Sequence, residues 1–423
     1  MIDQILNKYI NNERNIGFSH YSPDNIRKLL DILGNPQNKI KTIHIAGTNG
    51  KGTTCYLIAG ILQNSGYNTG LFISPHLVRL NERISINSIE ISDTELLYYI
   101  QKADKAANEN KITVTYFDIL TAAAFSFFND KSVEIAVIET GLGGRLDSTN
   151  VILPELSIIT DISMDHSHIL GDTIEKITSE KCGIIKPGVP VITTNTDRNI
   201  LRIIQKFSED RKSELIEPGL SYVFKKLPSD NNRFKFIINY DNFQELIIET
   251  YLFPEHQIKN AAASAVAAMF LKNKILNAIT PDSIKSTIKE IRIPGRFQKL
   301  SDKNNIYFDP AHNIASLSSI INGFKKLFPG LQLRIILTIM TDKITPDIQL
   351  LLEAEKDIII YYLIEDPRAY IPVNQQFYLI THDRNIIIQE LITDINNNRV
   401  ILFTGTFRIY NFAVEIAEFL NEL

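Results

Sequence analysis

Five short runs of almost unbroken apolar residues, at 42–46 (TIHIA), 70–73 (GLFI), 133–139 (VEIAVIE), 156–160 (LSIIT) and 189–193 (VPVIT), limit what this chain can fold into. A strand with one wet face alternates polar and apolar residues, whereas an unalternating run belongs to a strand covered on both faces of a parallel sheet. Helix-length segments at 53–65, 93–108, 117–128 and 173–182 separate the runs, so the pattern predicts an α/β fold with a doubly wound sheet. Residues 219–253 break the rhythm with hairpin material at 222–225, 233–240 and 245–252, turning at Asp241-Asn242. A long helix is expected at 256–273. Ile293-Pro294-Gly295 then punctuates the chain, and new strand candidates follow at 306–309, 333–340, 358–363, 378–380 and 400–404. This second series of about 130 residues suits a domain of its own, with the boundary expected at 293–296.

Composition narrows the class. A chain of 423 residues is too long for one core. Its 44% apolar and 22% charged residues are those of a globular protein, and a net charge of -4 argues against general nucleic-acid binding. Cys55 and Cys182 alone cannot build a disulfide framework or a cysteine zinc site. The amphipathic, charged start MIDQILNKYINNERN lacks a signal-peptide core, and the weakly polar stretch 261–271 is too short for a bilayer. A soluble, cytoplasmic protein with no membrane partner is expected.

The strongest local signal follows the first apolar run: Gly47-Thr48-Asn49-Gly50-Lys51-Gly52-Thr53-Thr54. Glycines let backbone N–H groups converge on phosphate oxygens, and a helix N-terminus adds partial positive charge. Lys51 would reach the β- and γ-phosphates, and Thr53 would hold a phosphate-bound Mg²⁺. The bland alternative is a glycine-rich turn with a solvated lysine. A strand before, a helix after, and Lys and Thr in register favour a nucleoside triphosphate site.

Three polar groups end neighbouring apolar runs. Glu139 closes one, Ser74 follows another, and His166 follows a third, at the sheet edge where open α/β folds bind ligands. Taken singly, Glu139 is equally an exposed strand-end carboxylate and His166 a surface loop residue. Lys181, beside Glu180 on a helix pattern, reads by residue type as a solvated lysine.

The segment G-T-N-G-K-G-T resembles the phosphate loop of the Mur ligase superfamily, and especially of folylpolyglutamate synthase/dihydrofolate synthase. The resemblance continues through Leu33-Gly34-Asn35-Pro36-Gln37, Ser74-Pro75-His76-Leu77-Val78-Arg79-Leu80-Asn81-Glu82-Arg83-Ile84 and Gly141-Leu142-Gly143-Gly144-Arg145-Leu146-Asp147-Ser148-Thr149-Asn150. Asp165-His166, Ile169-Leu170-Gly171 and Glu180-Lys181-Cys182-Gly183-Ile184 extend it, as do His256-Gln257-Ile258-Lys259-Asn260-Ala261, Gly295-Arg296-Phe297-Gln298 and Asp309-Pro310-Ala311-His312-Asn313.

The resemblance implies a P-loop ATPase-type central domain over 1–293 and a smaller Rossmann-like glutamate-ligase domain over 294–423, joined by a flexible hinge. It implies that Ser74, Glu139 and His166, with Thr53, hold Mg²⁺. It also implies that Lys181 carries a carbamate formed with CO₂, whose carboxylate helps hold a metal ion; this requires a neutral amine and hence a lowered pKa. Asn260, Arg296, Asp309 and His312 would meet ATP, with His312 also near the amino acid. Lys343, after Asp342, and Thr406, in Gly405-Thr406-Phe407, would serve L-glutamate; Arg368 lies in a matching P-R-A-x-P segment. Pro75, His76, Arg79, Arg83, Phe117, Arg145, Leu146, Asp147 and Ser148 would line the pterin side.

The implied reaction activates a pterin carboxylate as an acyl phosphate, which the amine of L-glutamate attacks. Dihydropteroate would give dihydrofolate, and a reduced folate the polyglutamate. A monomer is implied. Thr406 replaces the usual serine, Arg408 the usual aromatic residue, and Gly17-Phe18-Ser19-His20-Tyr21 departs from the G-L-x-R stretch of bifunctional members. A GTPase switch would need N-K-x-D, but Asn273-Lys274 is followed by Ile275-Leu276. A catalytically dead relative would be expected to lose Lys51, Glu139 or His166. A peptidoglycan-precursor ligase would differ in the Ser74 and Gly141 segments.

Overall fold

The computed structural model describes residues 1–15, 22–227, 234–241, 245–355, 358–372 and 378–422. The segment 17–21 and Asn242 lie outside the described residues.

The chain divides into two compact units, Met1–Tyr251 with Lys259–Ile291, and Leu252–Ile258 with Arg292–Leu423. The first contains an eight-stranded sheet of β1 (Lys41–Ala46), β2 (Thr69–Phe72), β3 (Ile84–Ile86), β4 (Ile89–Glu90), β5 (Ile135–Glu139), β6 (Leu156–Ile159), β7 (Val191–Thr193) and β8 (Leu215–Ile216). Its order is β4-β3-β2-β5-β1-β6-β7-β8. Every pair from β2 to β8 is parallel; β3 and β4 add an antiparallel edge. The unalternating runs have the expected cause: all of β5 and β6, and all of β1 except Lys41, are buried. β1 separates the half of the sheet reached through β2 from the half reached through β6. The carboxyl ends beside it form the crevice where such sheets bind ligands.

Helix Tyr116–Asp130 is buried throughout 118–128, and Thr115 caps it reciprocally with Asp118. The amphipathic helices Ile2–Asn15 and Asp24–Ile32 complete that side of the core with Ile5, Leu6, Tyr9, Ile26, Leu29 and Leu30. An antiparallel sheet of β9 (Tyr222–Leu227), β10 (Phe234–Tyr240) and β11 (Leu246–Thr250) follows. In β10 Phe236, Ile238 and Tyr240 face inward at the two-residue period of a half-buried strand. No helix among the described residues is long and apolar enough to cross a membrane.

The second unit has a six-stranded sheet ordered β12-β13-β17-β14-β15-β16. Its strands are β12 (Gln298–Lys299), β13 (Ile306–Asp309), β14 (Leu333–Leu337), β15 (Ile359–Tyr362), β16 (Leu379–Thr381) and β17 (Val400–Thr404). All pairs except β12 with β13 are parallel. This unit begins at Arg292 and takes in Leu252–Ile258, a segment distant in sequence. The Phe253 ring lies 4.8 Å from that of Phe297, and Gly323 is bare because a Cβ there would stand 2.6 Å from Phe253.

Candidate active site

The chain leaves β1 at Gly47 and enters helix Lys51–Asn64 after Gly50. Gly50 has φ +90°, and a Cβ on it would lie 2.3 Å from the Asn260 side-chain nitrogen. A Cβ on Gly47 would lie 1.8 Å from the Thr160 hydroxyl. Both glycines are therefore required by close approach, and the contact at Gly50 sets buried Asn260 directly on the turn. Lys51 Nζ donates to the Gly47 carbonyl at 3.1 Å. Lys181, only 3% exposed, donates to the same carbonyl at 2.7 Å. Burial, reinforced by the charge of Lys51, lowers the Lys181 pKa to about 7, although Asp165, Asp147 and Asp161 pull the other way. The solvated-lysine alternative for this residue does not hold.

The amides at the turn divide into two groups. Those of Thr48 and Asn49 donate to the Asp161 carbonyl at 2.7 and 3.2 Å, and the Thr48 hydroxyl donates to the Ser163 carbonyl at 3.1 Å. The first-turn amides of Lys51, Gly52 and Thr53 precede any intrahelical acceptor and point out of the helix end. Thr53 and Thr54 are fully buried, and neither hydroxyl has a hydrogen-bond partner among the described residues.

Glu139 is the last residue of β5, 3% exposed, and accepts from the Ser74 amide at 3.1 Å, which joins two adjacent strand ends. His166 has φ +49° and caps the short helix Ser167–Leu170; its Nε2 lies 3.8 Å from Asp165 Oδ2. Among the described residues, no three His, Cys, Asp or Glu side chains form a group that could hold a metal. The expected ligand set does not need one, because its other donors are hydroxyls and a modified lysine.

The loop after β2 is held by Glu82, whose carboxylate accepts from the amides of Leu77, Val78 and Arg79 at 2.6, 2.8 and 2.7 Å. Arg83 donates to His76 Nδ1 at 3.0 Å, and burial with the Arg83 charge lowers the His76 pKa. Arg79 pairs with Glu90, and Pro75 is exposed. Asp147 is buried and accepts from the Leu142 and Thr149 amides at 2.7 and 3.0 Å, so its carboxylate is committed to its own loop. Ser148 is likewise buried, donating to Asp118 at 2.6 Å. Arg145 pairs with Glu180 at 2.8 Å, Leu146 is half-buried, and Phe117 stacks on Phe72 at 5.7 Å.

In the second unit the expected residues gather at one sheet edge, since β13, β14, β15 and β17 run parallel. Asp309 ends β13, is 7% exposed, and accepts from the Phe297 and Ala311 amides at 3.0 and 3.1 Å. Burial raises its pKa, against the pull of Arg296. Arg296 lies over the Phe407 ring at 4.9 Å. His312 Nδ1 is 2.7 Å from the Pro310 carbonyl; a carbonyl only accepts, so Nδ1 carries the proton. Lys343 ends the turn Thr341–Lys343 after β14, and Thr406 caps the turn Phe407–Ile409 after β17. Arg408, the departure from the family pattern, pairs with Asp366, which also holds Arg368 at 3.1 Å.

Residues 45–268 match the Mur ligase middle domain family. The chain is 32% identical over 397 residues to the dihydrofolate synthase/folylpolyglutamate synthase of Bacillus subtilis (strain 168), covering 90% of this chain and 91% of that one. The chain belongs to the dihydrofolate synthase/folylpolyglutamate synthase family of Mur ligases. It is also 34% identical over 325 residues, 75% of each chain, to the folylpolyglutamate synthase of Lacticaseibacillus casei. A solved complex of a folylpolyglutamate synthase (FPGS) with AMPPCP superimposes with a TM-score of 0.82 at 26% identity, covering 99% of this chain and 98% of that one.

Two stretches of this Mur ligase's sequence, apart in the chain, are one piece in space. A Cβ on Gly144 would meet the Glu180 and Lys181 carbonyls at 2.9 Å, and one on Gly183 would meet Arg145 Cα at 2.3 Å. The segments around Gly144 and Lys181 therefore touch backbone to backbone, and the glycines keep Lys181 at the phosphate turn. Sequence reasoning missed Asp161, Ser163 and Lys259. The charge of Lys259 bears on Asp161. Strand ends at Thr160 and a lysine beside Asn260 were the only local signals.

Proposed function

We propose that this ligase joins L-glutamate to the carboxylate of a pterin substrate at the expense of ATP, extending tetrahydrofolates to polyglutamates and converting dihydropteroate to dihydrofolate. Kinship with a relative named for both activities supports the pair. Folylpolyglutamate synthesis alone is the second reading, favoured by the departure at 17–21.

The observation that carries the reading is the convergence of Lys51 and Lys181 on the Gly47 carbonyl at the head of a helix. There Lys51 neutralises the transferring phosphoryl group while the outward amides fix its orientation. The buried, unpartnered Thr53 hydroxyl and the Glu139 carboxylate are oxygen donors that fit Mg²⁺, with Ser74 and His166 as further ligands. Mg²⁺, when bound, supplies charge neutralisation on the phosphates. Lys181, with its lowered pKa, presents a neutral amine that adds CO₂, giving a carbamate and releasing one proton.

Asn260, Arg296 and Asp309 serve the nucleotide. Lys343 and Thr406 hold L-glutamate, and the His76, Arg83, Phe117 and Arg145 side chains serve the pterin substrate. The amine attacks the acyl phosphate, and collapse of the tetrahedral adduct expels phosphate. With the proton on Nδ1, His312 offers Nε2 as the basic atom that accepts the amine's proton. Two buried, unpaired cysteines suit a reducing cytoplasm.

ADP release is measured with ATP, L-glutamate and either dihydropteroate or tetrahydrofolate. Release with both supports the bifunctional reading, and release with tetrahydrofolate alone supports the second. Release with neither, but with a muramyl peptide, overturns the function.

A further inference from the structure

The phosphate turn is held from behind by a segment that no step above uses. Residues 161–163 leave β6 and run beside the turn. The Asp161 carbonyl takes the Thr48 and Asn49 amides, and its carboxylate accepts from the Asn49 side-chain amide at 3.2 Å. That amide also donates to the Ser163 hydroxyl at 3.0 Å, and the Ser163 amide donates to the Thr48 hydroxyl at 3.2 Å. The segment is itself clamped. Asn195, 4% exposed beyond the end of β7, donates to the Thr160 carbonyl at 2.9 Å and accepts from the Ile162 amide at 3.1 Å. A continuous chain of hydrogen bonds thus runs from Asn195 through 160–163 to Thr48 and Asn49.

The consequence is geometric. Amides committed to Asp161 cannot also point at phosphate, so the brace decides which N–H groups of the turn face the ligand. We propose that the Asp161, Ser163 and Asn195 side chains are positioning groups that fix segment 160–163 against the phosphate turn, so that the Asp161 carbonyl turns the Thr48 and Asn49 amides away and those of residues 51–53 cradle the nucleotide phosphates. None of the three need touch ATP. Asp161 acts through a hydrogen bond to Asn49, although Lys181 and Lys259 also bear on its carboxylate.

The inference rests on the turn being a nucleotide site, and its test reads nucleotide binding with no pterin or glutamate present, so it fails separately from the ligase reading. Calorimetric affinity for AMPPCP is measured on the full chain for Asp161→Ala, Asp161→Asn and Ser163→Ala, with Tm recorded alongside and KM for ATP against KM for glutamate. An Asn at 161 keeps an oxygen that accepts from Asn49. The expected result is about tenfold weaker binding for Asp161→Ala and about threefold for Ser163→Ala, the scale of a lost charged or neutral hydrogen bond. KM for ATP rises in step, KM for glutamate stays constant, and Asp161→Asn recovers to within about twofold of the parent. Wild-type affinity in Asp161→Ala and Ser163→Ala overturns the proposal. So does Asp161→Asn binding as weakly as Asp161→Ala, because charge and not the hydrogen bond would then be at work. If Asp161→Ala does not fold, Ser163→Ala alone decides.

Discussion

Alanine at Gly50 tests the packing of the phosphate turn with a built-in control. The residue has φ +90°, where an L side chain costs about 1–2 kcal/mol. Its new Cβ would lie 2.3 Å from the Asn260 side-chain nitrogen and 2.7 Å from the oxygen, so Asn260 must leave its rotamer, at about 0.5–1.5 kcal/mol. Together these predict a loss of about 1.5–3.5 kcal/mol. Gly34 has φ +83° with none of the described residues within 4 Å of its would-be Cβ, so Gly34→Ala carries the backbone cost without the clash. Urea denaturation should show Gly50→Ala less stable than Gly34→Ala, and only Gly50→Ala should lose AMPPCP affinity in calorimetry. Adding Asn260→Ala to Gly50→Ala should return the steric part of the stability loss but not the affinity. Equal stability of the two single variants, with unchanged affinity in both, would refute the claim that Asn260 rests on the turn.

Lys181 sets two further expectations. Its folded pKa is about 7 against an unfolded value near 10.4, so the unfolded chain binds more protons between those limits. Stability should therefore rise with pH from about 7 to about 10, and Lys181→Met should flatten that slope in urea titrations at successive pH values. With ¹³C-bicarbonate, a carbamate carbon signal should strengthen as pH passes about 7 and be absent in Lys181→Met; a signal that persists in that variant assigns the carbamate elsewhere. Gly183→Ala drives a Cβ to 2.3 Å from Arg145 Cα, contact with backbone that no rotamer relieves. It should cost about 1–3 kcal/mol in urea denaturation and displace Lys181 with loss of activity.

The strands were legible because burial on both faces removes alternation, a signal contained in five residues. The phosphate turn was legible for the same reason: Gly47, Gly50, Lys51 and Thr53 carry its chemistry within seven positions. Lys181 was not, because its helix IEKITSEKC is polar in composition and burial comes from the backbone of the Gly144 segment. Asp147 and Glu82 stand in motifs that invite a substrate role, yet their carboxylates accept amides of their own loops. A motif marks that a residue is needed without saying whether it touches ligand or shapes the loop. The second unit's share in Leu252–Ile258 was hidden because Phe253 and Gly323 meet across a long sequence separation that no local pattern records.

In the proposed reaction ATP phosphorylates the pterin carboxylate before glutamate attacks. Dihydropteroate or a tetrahydrofolate carrying oxygen-18 in the reacting carboxylate tests this directly, with released phosphate analysed by mass after turnover with ATP and L-glutamate. One labelled oxygen is expected in each phosphate, carried over when the acyl phosphate breaks. Unlabelled phosphate accompanying labelled amide product would contradict it.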